Sequence, residues 1–116
     1  MMKLGRKQEL FALQIPALIL KAAELGNKYG FTVRPGDYFR DPRVHGKYGV
    51  KKGYGHARSC HKLKLAIDLN FIKDKKITAY FHNELGAWWE KQNKYNRHGG
   101  RFGDPNHYSM THWGSM

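Results

Sequence analysis

A chain of 116 residues with a hydrophobic fraction of 41% is long enough to bury one core and leaves little room for a second domain. Its formal net charge of +12, from 21 Lys and Arg against 9 Asp and Glu, favours polyanionic partners: nucleic acid, anionic membrane or anionic cell-wall polymer. Because Cys60 is the single cysteine, an intrachain disulfide is excluded. We therefore expect one domain, residues 1–116, stabilised by its core alone.

The first third of the chain predicts a helical region followed by a strand. Residues 7–29 have helical periodicity, broken into two pieces near Pro16, with an apolar stripe formed by Leu18, Ile19, Ala22, Ala23 and Leu25. The apolar run around Pro16 is too short to span a bilayer and has no clean cleavage site, so it predicts neither a membrane helix nor a signal peptide. Residues 31–40 alternate and predict a strand interrupted by a Pro-Gly turn.

The remaining two thirds predict a long loop and then strands around one helix. Residues 41–58 are rich in glycine, lysine and arginine, and a structureless loop of this length in a small domain usually has a function. The elements predicted after it are a buried strand at 64–72, a turn at 74–76, a return strand at 77–80, a helix at 83–96, a glycine-rich loop at 97–106 and a final strand at 107–113. This order predicts an α+β fold, in which helices pack on a small antiparallel sheet.

One carboxylate, Asp68, lies inside an apolar run, "SCHKLKLAIDLNF". Burying an unpaired charge is costly, so a buried Asp normally has a partner or a metal. His61 precedes Asp68 with six residues between them, and "GDPNHYS" places Asp104 three residues before His107. Two His and one carboxylate are a sufficient protein set for catalytic zinc, with the fourth position left for water. In that arrangement Asp104 would serve as the general base.

The spacing alone leaves a structural interpretation open. The seven His of a basic protein can be surface residues, and Asp68 could pair with an arginine such as Arg40. Alternation along the strand that begins at His107 places His112 on the opposite face, so we expect His112 to point away from a metal. We expect His98, in the glycine-rich loop, to be a solvated residue at the rim of a cleft.

The ordered motifs resemble those of the zinc D-Ala-D-Ala carboxypeptidases and the phage L-alanyl-D-glutamate endopeptidases, which share the hedgehog/DD-peptidase fold. "SCHKLKLAIDLNF" resembles their Ser-x-His-x6-Asp element, and "GDPNHYS" resembles their downstream Asp-x-x-His element. "HGGRF" resembles their Trp-Gly-Gly-x-Trp/Phe element, and "GDYFRDPRV" resembles the segment that carries a substrate-facing Arg. The resemblance covers roughly residues 8–113, with the motifs in the same order.

The resemblance implies a role for each matching residue. Three residues are implied as zinc ligands: His61, Asp68 and His107. Asp104 is implied as the catalytic base, and Arg40 and Ser59 are implied to line the substrate cleft, although Arg40 could instead form an ion pair with Asp37 or Asp41. Two positions depart from the family pattern and affect the shape of the cleft: Lys64 stands where the family often has glycine, and His98 stands in place of the first Trp.

The implied activity is cleavage of a stem-peptide bond in peptidoglycan, first of all the L-Ala–D-Glu bond, by a phage endolysin that lyses its host. We expect a monomer that is made in the host cytoplasm without a signal peptide, is released through a holin, and is drawn to the anionic bacterial envelope by its positive charge. No nucleic-acid partner is expected for such an enzyme.

Two alternatives come from other functional classes. The run "GKYGVKKGYGHAR" interleaves basic and aromatic residues, which is also typical of nucleic-acid contact, so the chain could be a basic nucleic-acid-binding module without catalysis. A family fold that has lost its activity and only binds the wall is the other alternative. Zinc content and clearing of a peptidoglycan suspension would discriminate among the three.

Overall fold

A computed structural model describes residues 2–51, 57–78 and 81–116. In these ranges the predicted α+β class and the small antiparallel sheet are confirmed. The helices are α1 (Leu4–Tyr29), α2 (Pro42–His45) and α3 (His82–Gln92), and the strands are β1 (Thr32–Pro35), β2 (Ala66–Lys73), β3 (Lys76–Thr78), β4 (Asn96–His98) and β5 (His107–Met110). Two short 3-10 turns, Cys60–Leu63 and Gly99–Phe102, precede β2 and β5.

Strand β2 organises the sheet. Its first part, from Ala66 to Asp68, pairs antiparallel with β5, and its second part pairs with β1 and with β3. Strand β4 pairs with the outer side of β5, so the strand order is β1-β2-β5-β4. The β2–β3 connection is a two-residue turn in which Asp74 and Lys75 have φ angles of 52° and 62°, as a type I′ hairpin requires. The predicted turn at 74–76 therefore begins at the same residue as the observed one and ends one residue later.

The predicted break in the first helix is wrong, because α1 runs without interruption through Pro16. A proline inside a helix costs about 3 kcal/mol, since it removes a hydrogen bond and crowds the preceding turn. Phe11 before it and Leu18 and Ala22 after it are fully buried, and burying a large apolar side chain contributes about 1.5–3 kcal/mol each. Packing on both sides of Pro16 therefore outweighs its penalty.

Several predicted boundaries also move. Residues 42–45 form a helical turn inside the predicted loop, of which 52–56 lie outside the described residues. Strand β1 ends at Pro35, the first residue of the predicted Pro-Gly turn, and does not continue to residue 40. The predicted helix at 83–96 ends at Gln92, the last predicted strand ends at Met110, and residues 79–80 of the return strand lie outside the described ranges.

The core lies between the sheet and the two long helices. Its largest fully buried apolar side chains are Trp89, Tyr108, Phe11, Phe71, Leu18, Leu65, Leu69, Leu85 and Met110. The edge of the Phe11 ring packs against Trp89, with centroids 6.0 Å apart, which joins α1 to α3. Within the described ranges, no helix combines the length and the apolar character needed to cross a membrane.

Candidate metal centre

Three side chains from three elements converge at the start of β2. Their ligand atoms, His61 Nε2, Asp68 Oδ1 and His107 Nδ1, form a group that could hold a metal ion, with all of them within 4.8 Å of one another. Nε2 of His61 lies 3.0 Å from Asp68 Oδ1 and 3.2 Å from His107 Nδ1, and the remaining distance, from His107 Nδ1 to Asp68 Oδ1, is 3.5 Å. The structure therefore brings together the three residues predicted as ligands.

Strand pairing and a capped turn place these side chains. Asp68 and His107 are paired residues in the β2–β5 register, and side chains opposite each other on neighbouring strands come within about 4.5–5.5 Å at Cβ. His61 lies in the 3-10 turn, where the Ser59 hydroxyl caps its backbone N–H at 3.2 Å. Lys64, with φ of 56°, ends the turn and redirects the chain into β2. The glycine that the family often has there would suit this left-handed conformation better than Lys64 does.

Backbone carbonyls fix which nitrogen of each imidazole faces the centre. Nδ1 of His61 donates to Tyr38 O at 2.9 Å, and Nε2 of His107 donates to Met116 O at 2.9 Å. A neutral imidazole carries one proton, so His61 Nε2 and His107 Nδ1 present lone pairs to each other and to the Asp68 carboxylate. Three acceptors this close repel one another unless a proton or a cation lies between them. Two nitrogens and one carboxylate oxygen, with the other ring nitrogens held by carbonyls, form a group that could hold a metal ion.

The Asp68 side chain is ionised although it is largely shielded from solvent. Burial alone would raise its pKa, but hydrogen bonds from the imidazoles of His107 and His61, which need a proton on a facing ring nitrogen, outweigh burial and lower the pKa to about 2. The carboxylate in this apolar strand is thus compensated either by a proton shared with the two histidines or by a cation. A cation would compensate the charge more completely than neutral imidazoles do.

Asp104 and His107 are the two ends of one tight turn. The backbone N–H of His107 donates to Asp104 O at 3.1 Å, with Pro105 at the second position, where a β-turn favours proline. The turn packs directly on Gly99: a Cβ atom there would lie 2.1 Å from Asp104 O and 2.7 Å from His107 Cβ. Only glycine therefore fits beneath the turn, which accounts for one glycine of "HGGRF" in physical terms.

A cavity of about 600 Å³, the cleft, opens beside this centre. The side chains that matter for its chemistry are Arg40, Ser59, Phe102, Asp104, His107 and Trp113. Asp104 thus shares the cleft with His107 without belonging to the group of three ligand atoms. The predicted base and the two residues predicted to line the substrate cleft all lie on its wall.

The Arg40 side chain lies on the cleft wall and is paired with Asp37. It is only 10% exposed, and it donates to Ser59 Oγ at 3.2 Å and to Asp37 Oδ2 at 3.4 Å. The structural ion pair with Asp37 therefore exists alongside the position on the cleft wall. The pair holds the guanidinium in one place, as a group that receives a ligand needs.

The prediction that His98 is solvated is wrong, because its side chain is buried. Its Nε2 donates to Pro105 O at 2.6 Å, and so it supports the turn between Asp104 and His107. Burial lowers the pKa of His98, which keeps the imidazole neutral with its proton on Nε2. The ring lies against Gly86 of α3, where a Cβ would come within 2.1 Å of Nδ1. The sequence feature that could have indicated this burial is the pair of glycines, Gly99 and Gly100, that follows His98.

His112 lies outside the ligand group, as expected, but not for the expected reason. Strand β5 has already ended at Met110, so alternation does not set its direction. His112 is buried, and its Nδ1 lies 3.2 Å from the ammonium group of Lys7. Lys7, itself buried on α1, also donates to Thr111 O at 2.8 Å. These contacts tie the segment after β5 to the first helix.

Comparisons of the chain with protein-family models, with curated proteins and with solved structures gave no match.

Proposed function

We propose that this chain is a zinc-dependent peptidase with the hedgehog/DD-peptidase fold, and that it cleaves a stem-peptide bond of bacterial peptidoglycan, first of all the L-Ala–D-Glu bond. The observation that carries the proposal is the meeting of two separate motifs in one group of side chains beside a cleft. His61 and Asp68 come from the Ser-x-His-x6-Asp element and His107 comes from the Asp-x-x-His element, with the three ligand atoms within 4.8 Å, while His107 and Asp104 also line the cleft.

Each residue at the cleft has a task in such a hydrolysis. His61, Asp68 and His107 would hold the ion, and the carbonyls of Tyr38 and Met116 orient the two imidazoles beforehand. A bound zinc ion supplies Lewis acidity, which polarises a carbonyl and lowers the pKa of water to about 7. The Asp104 carboxylate accepts the proton of the attacking water and returns it to the leaving amine.

Arg40 and Arg58 both line the cleft, and Arg40 is the largely buried cation of its wall. Its guanidinium is held by Ser59 and Asp37, so it loses little freedom when a ligand binds. It receives either a carboxylate of the stem peptide or the oxyanion that develops at the scissile carbonyl, through a charge-assisted hydrogen bond. Stem peptides carry free carboxylates, which is why this wall suits them.

The remaining parts of the proposal follow from charge. A net charge of +12 favours the anionic bacterial envelope as the place of action. We propose that the chain acts there as a monomeric phage endolysin, made in the host cytoplasm and released at lysis. Arg101 forms a salt bridge of 2.5 Å with Glu90 on α3. Because Glu90 offsets this positive charge, other cations supply the attraction to the envelope.

The test combines metal content with the identity of the cleaved bond. The purified protein is stripped with a chelator, reloaded with one equivalent of zinc, and incubated with a peptidoglycan suspension. We expect clearing only after reloading, together with new amino termini that end-group analysis identifies as glutamate. New reducing sugar ends without new amines, or equal clearing by the stripped protein, would overturn the proposal.

A further inference from the structure

The segment after β5 ends in a tight turn at the mouth of the cleft. His112 and Ser115 are bridged by two backbone hydrogen bonds of 3.1 and 2.8 Å, and the residues between them, Trp113 and Gly114, have φ angles of 50° and 75°. Positive φ at both central positions is a type I′ turn, for which Asn-Gly is the preferred sequence. A tryptophan in the left-handed region is unfavourable because its Cβ crowds the following carbonyl.

The indole of Trp113 is also largely in solvent. Its exposed fraction is 60%, and it faces the cleft together with Phe102, which is 47% exposed on the wall beside His107. Neither the conformation of the turn nor the packing of the core accounts for a tryptophan here, since asparagine would suit the turn and would expose no apolar surface. An unfavourable residue kept at the edge of a site indicates a function for its side chain.

The turn that carries Trp113 is rigid. The hydroxyl of Tyr48 is hydrogen bonded to Ser115 Oγ, and the Tyr48 ring meets the indole edge to face, with centroids 5.6 Å apart. Thr111 Oγ1 donates to Ser115 O at 2.7 Å, and the buried ammonium of Lys7 holds the base of the turn. The indole is therefore a pre-organised flat surface, which loses little entropy when a ligand covers it.

We propose that Trp113 is a sugar subsite: its indole stacks on a sugar ring of the glycan strand to which the cleaved stem peptide is attached. This inference rests on the proposed function. Stem peptides carry small aliphatic and charged groups. The flat surface of C–H bonds in peptidoglycan is therefore the sugar ring. An indole offers a matching flat apolar face with one N–H donor. The cleft thus divides its work between Arg40 for acidic groups and Trp113 for the sugar.

The kinetic test compares two substrates that differ only in the sugar. One is a stem peptide attached to its disaccharide, and the other is the same peptide without the disaccharide. We expect the wild-type protein to prefer the sugar-linked substrate in kcat/KM, mainly through KM. Trp113→Asn puts a residue that tolerates positive φ at this position. We expect it to lower the preference by about tenfold, which lies toward the lower end of the range for stacking of a base on an aromatic side chain. The matched control is Trp88→Gln, because Trp88 lies in a different groove, between α1 and α3.

A binding test on the wild-type protein makes the inference independent of turnover and of the folding of the variant. The three indole N–H signals are assigned with Trp-to-Phe variants, and the peptide-free disaccharide is added. We expect the Trp113 signal to move and the Trp88 and Trp89 signals to stay. If neither substrate is cleaved, the proposed function fails and this titration still decides on the sugar site. An unmoved Trp113 signal, or an unchanged preference in Trp113→Asn, overturns the inference.

Discussion

Asp68 and His107 are paired across the β2–β5 ladder, and their side chains approach to 3.5 Å beside the cleft. In an antiparallel sheet the register decides which side chains share a face, and a slip of one residue would send His107 to the opposite face. The register is supported beyond the strands, because Leu69 N–H donates to Asn106 O at 2.9 Å and Met110 N–H donates to Leu65 O at 2.9 Å. The backbone therefore sets two of the three ligand positions before any ion binds.

The first prediction concerns the third ligand. We expect His61→Ala to lower zinc affinity by more than about 100-fold, since changes to residues that only orient a ligand already cost 10–100-fold. His82→Ala is the matched control, because it removes another buried imidazole, 1% exposed, that is not in the ligand group. Zinc content after dialysis against a weak chelator is the measurement. Full zinc occupancy in His61→Ala would show that the centre is assigned wrongly.

The second prediction concerns the glycine under the Asp104–His107 turn. Gly99→Ala places a Cβ 2.1 Å from Asp104 O, so the turn must move away and carry the base and a ligand with it. We expect both zinc affinity and hydrolysis to fall, and stability to fall by about 1–3 kcal/mol, as overpacking typically costs. Gly5→Ala in α1 is the control, because a Cβ there meets nothing within 4 Å. Equal activity of Gly99→Ala and the wild type would contradict the close contact.

The α+β class and the group of three residues that could hold a metal ion were predictable from the sequence, because strand-like runs and the spacing of His and Asp are local signals. The unbroken α1 was not, since Phe11 and Leu18 stabilise it through contacts with distant elements. The burial of His98 was indicated only in part, by the glycines after it, because much of the space for its ring comes from Gly86, on α3. The turn at Trp113 escaped prediction because its sequence contradicts the residue preference of its own turn type.

The third prediction concerns pH. His82 is buried and accepts a 2.5 Å hydrogen bond from the Tyr108 hydroxyl; burial, with a smaller contribution from His98, lowers the pKa of His82 to about 4. The unfolded chain takes up this proton near pH 6.5, whereas the folded protein resists until about pH 4. The free energy of unfolding should therefore be highest above pH 6.5 and fall between pH 6.5 and 4, by at most on the order of 3 kcal/mol from this residue.

Urea unfolding of the metal-free protein at pH 7.5 and pH 5 measures this effect without interference from zinc release. His82→Gln removes the titrating group, so the difference between the two pH values should shrink in that variant. The same pH difference in wild type and His82→Gln would assign the effect to other histidines.

The fourth prediction concerns the attraction to the envelope. Binding to isolated cell walls should weaken steeply when salt is raised, because exposed charges are screened over about 8 Å at physiological ionic strength. Lys47 and Lys51 are exposed cations in the lysine- and arginine-rich segment 41–58. Replacing both with Gln should weaken binding at low salt. Sedimentation of the protein with walls at increasing sodium chloride is the measurement. Binding that salt leaves unchanged would indicate that specific contacts dominate instead.

The fifth prediction separates the proton-transfer residue from the ligand that resembles it. Asp104 and Asp68 are both carboxylates at the centre, but Asp68 Oδ1 belongs to the group of ligand atoms, whereas Asp104 lines the cleft beside it. Asp104→Asn removes the proton acceptor and preserves the shape of the side chain. We expect it to keep its zinc and its fold while the turnover falls about 10²–10⁴-fold, as the loss of a positioned acid–base group typically costs.

Asp68→Asn should behave differently, because it takes an anionic ligand from the ion and leaves a neutral amide that binds zinc weakly. Zinc is lost first in this variant, and activity is lost as a consequence, so excess zinc should restore part of the hydrolysis. In Asp104→Asn, excess zinc should restore nothing, since the site is already filled. Measuring zinc content and wall hydrolysis on the two variants, with and without added zinc, assigns the roles. If added zinc restores Asp104→Asn and not Asp68→Asn, the two carboxylates have exchanged roles, and if Asp104→Asn cleaves walls at the wild-type rate, the proton goes to another group of the cleft.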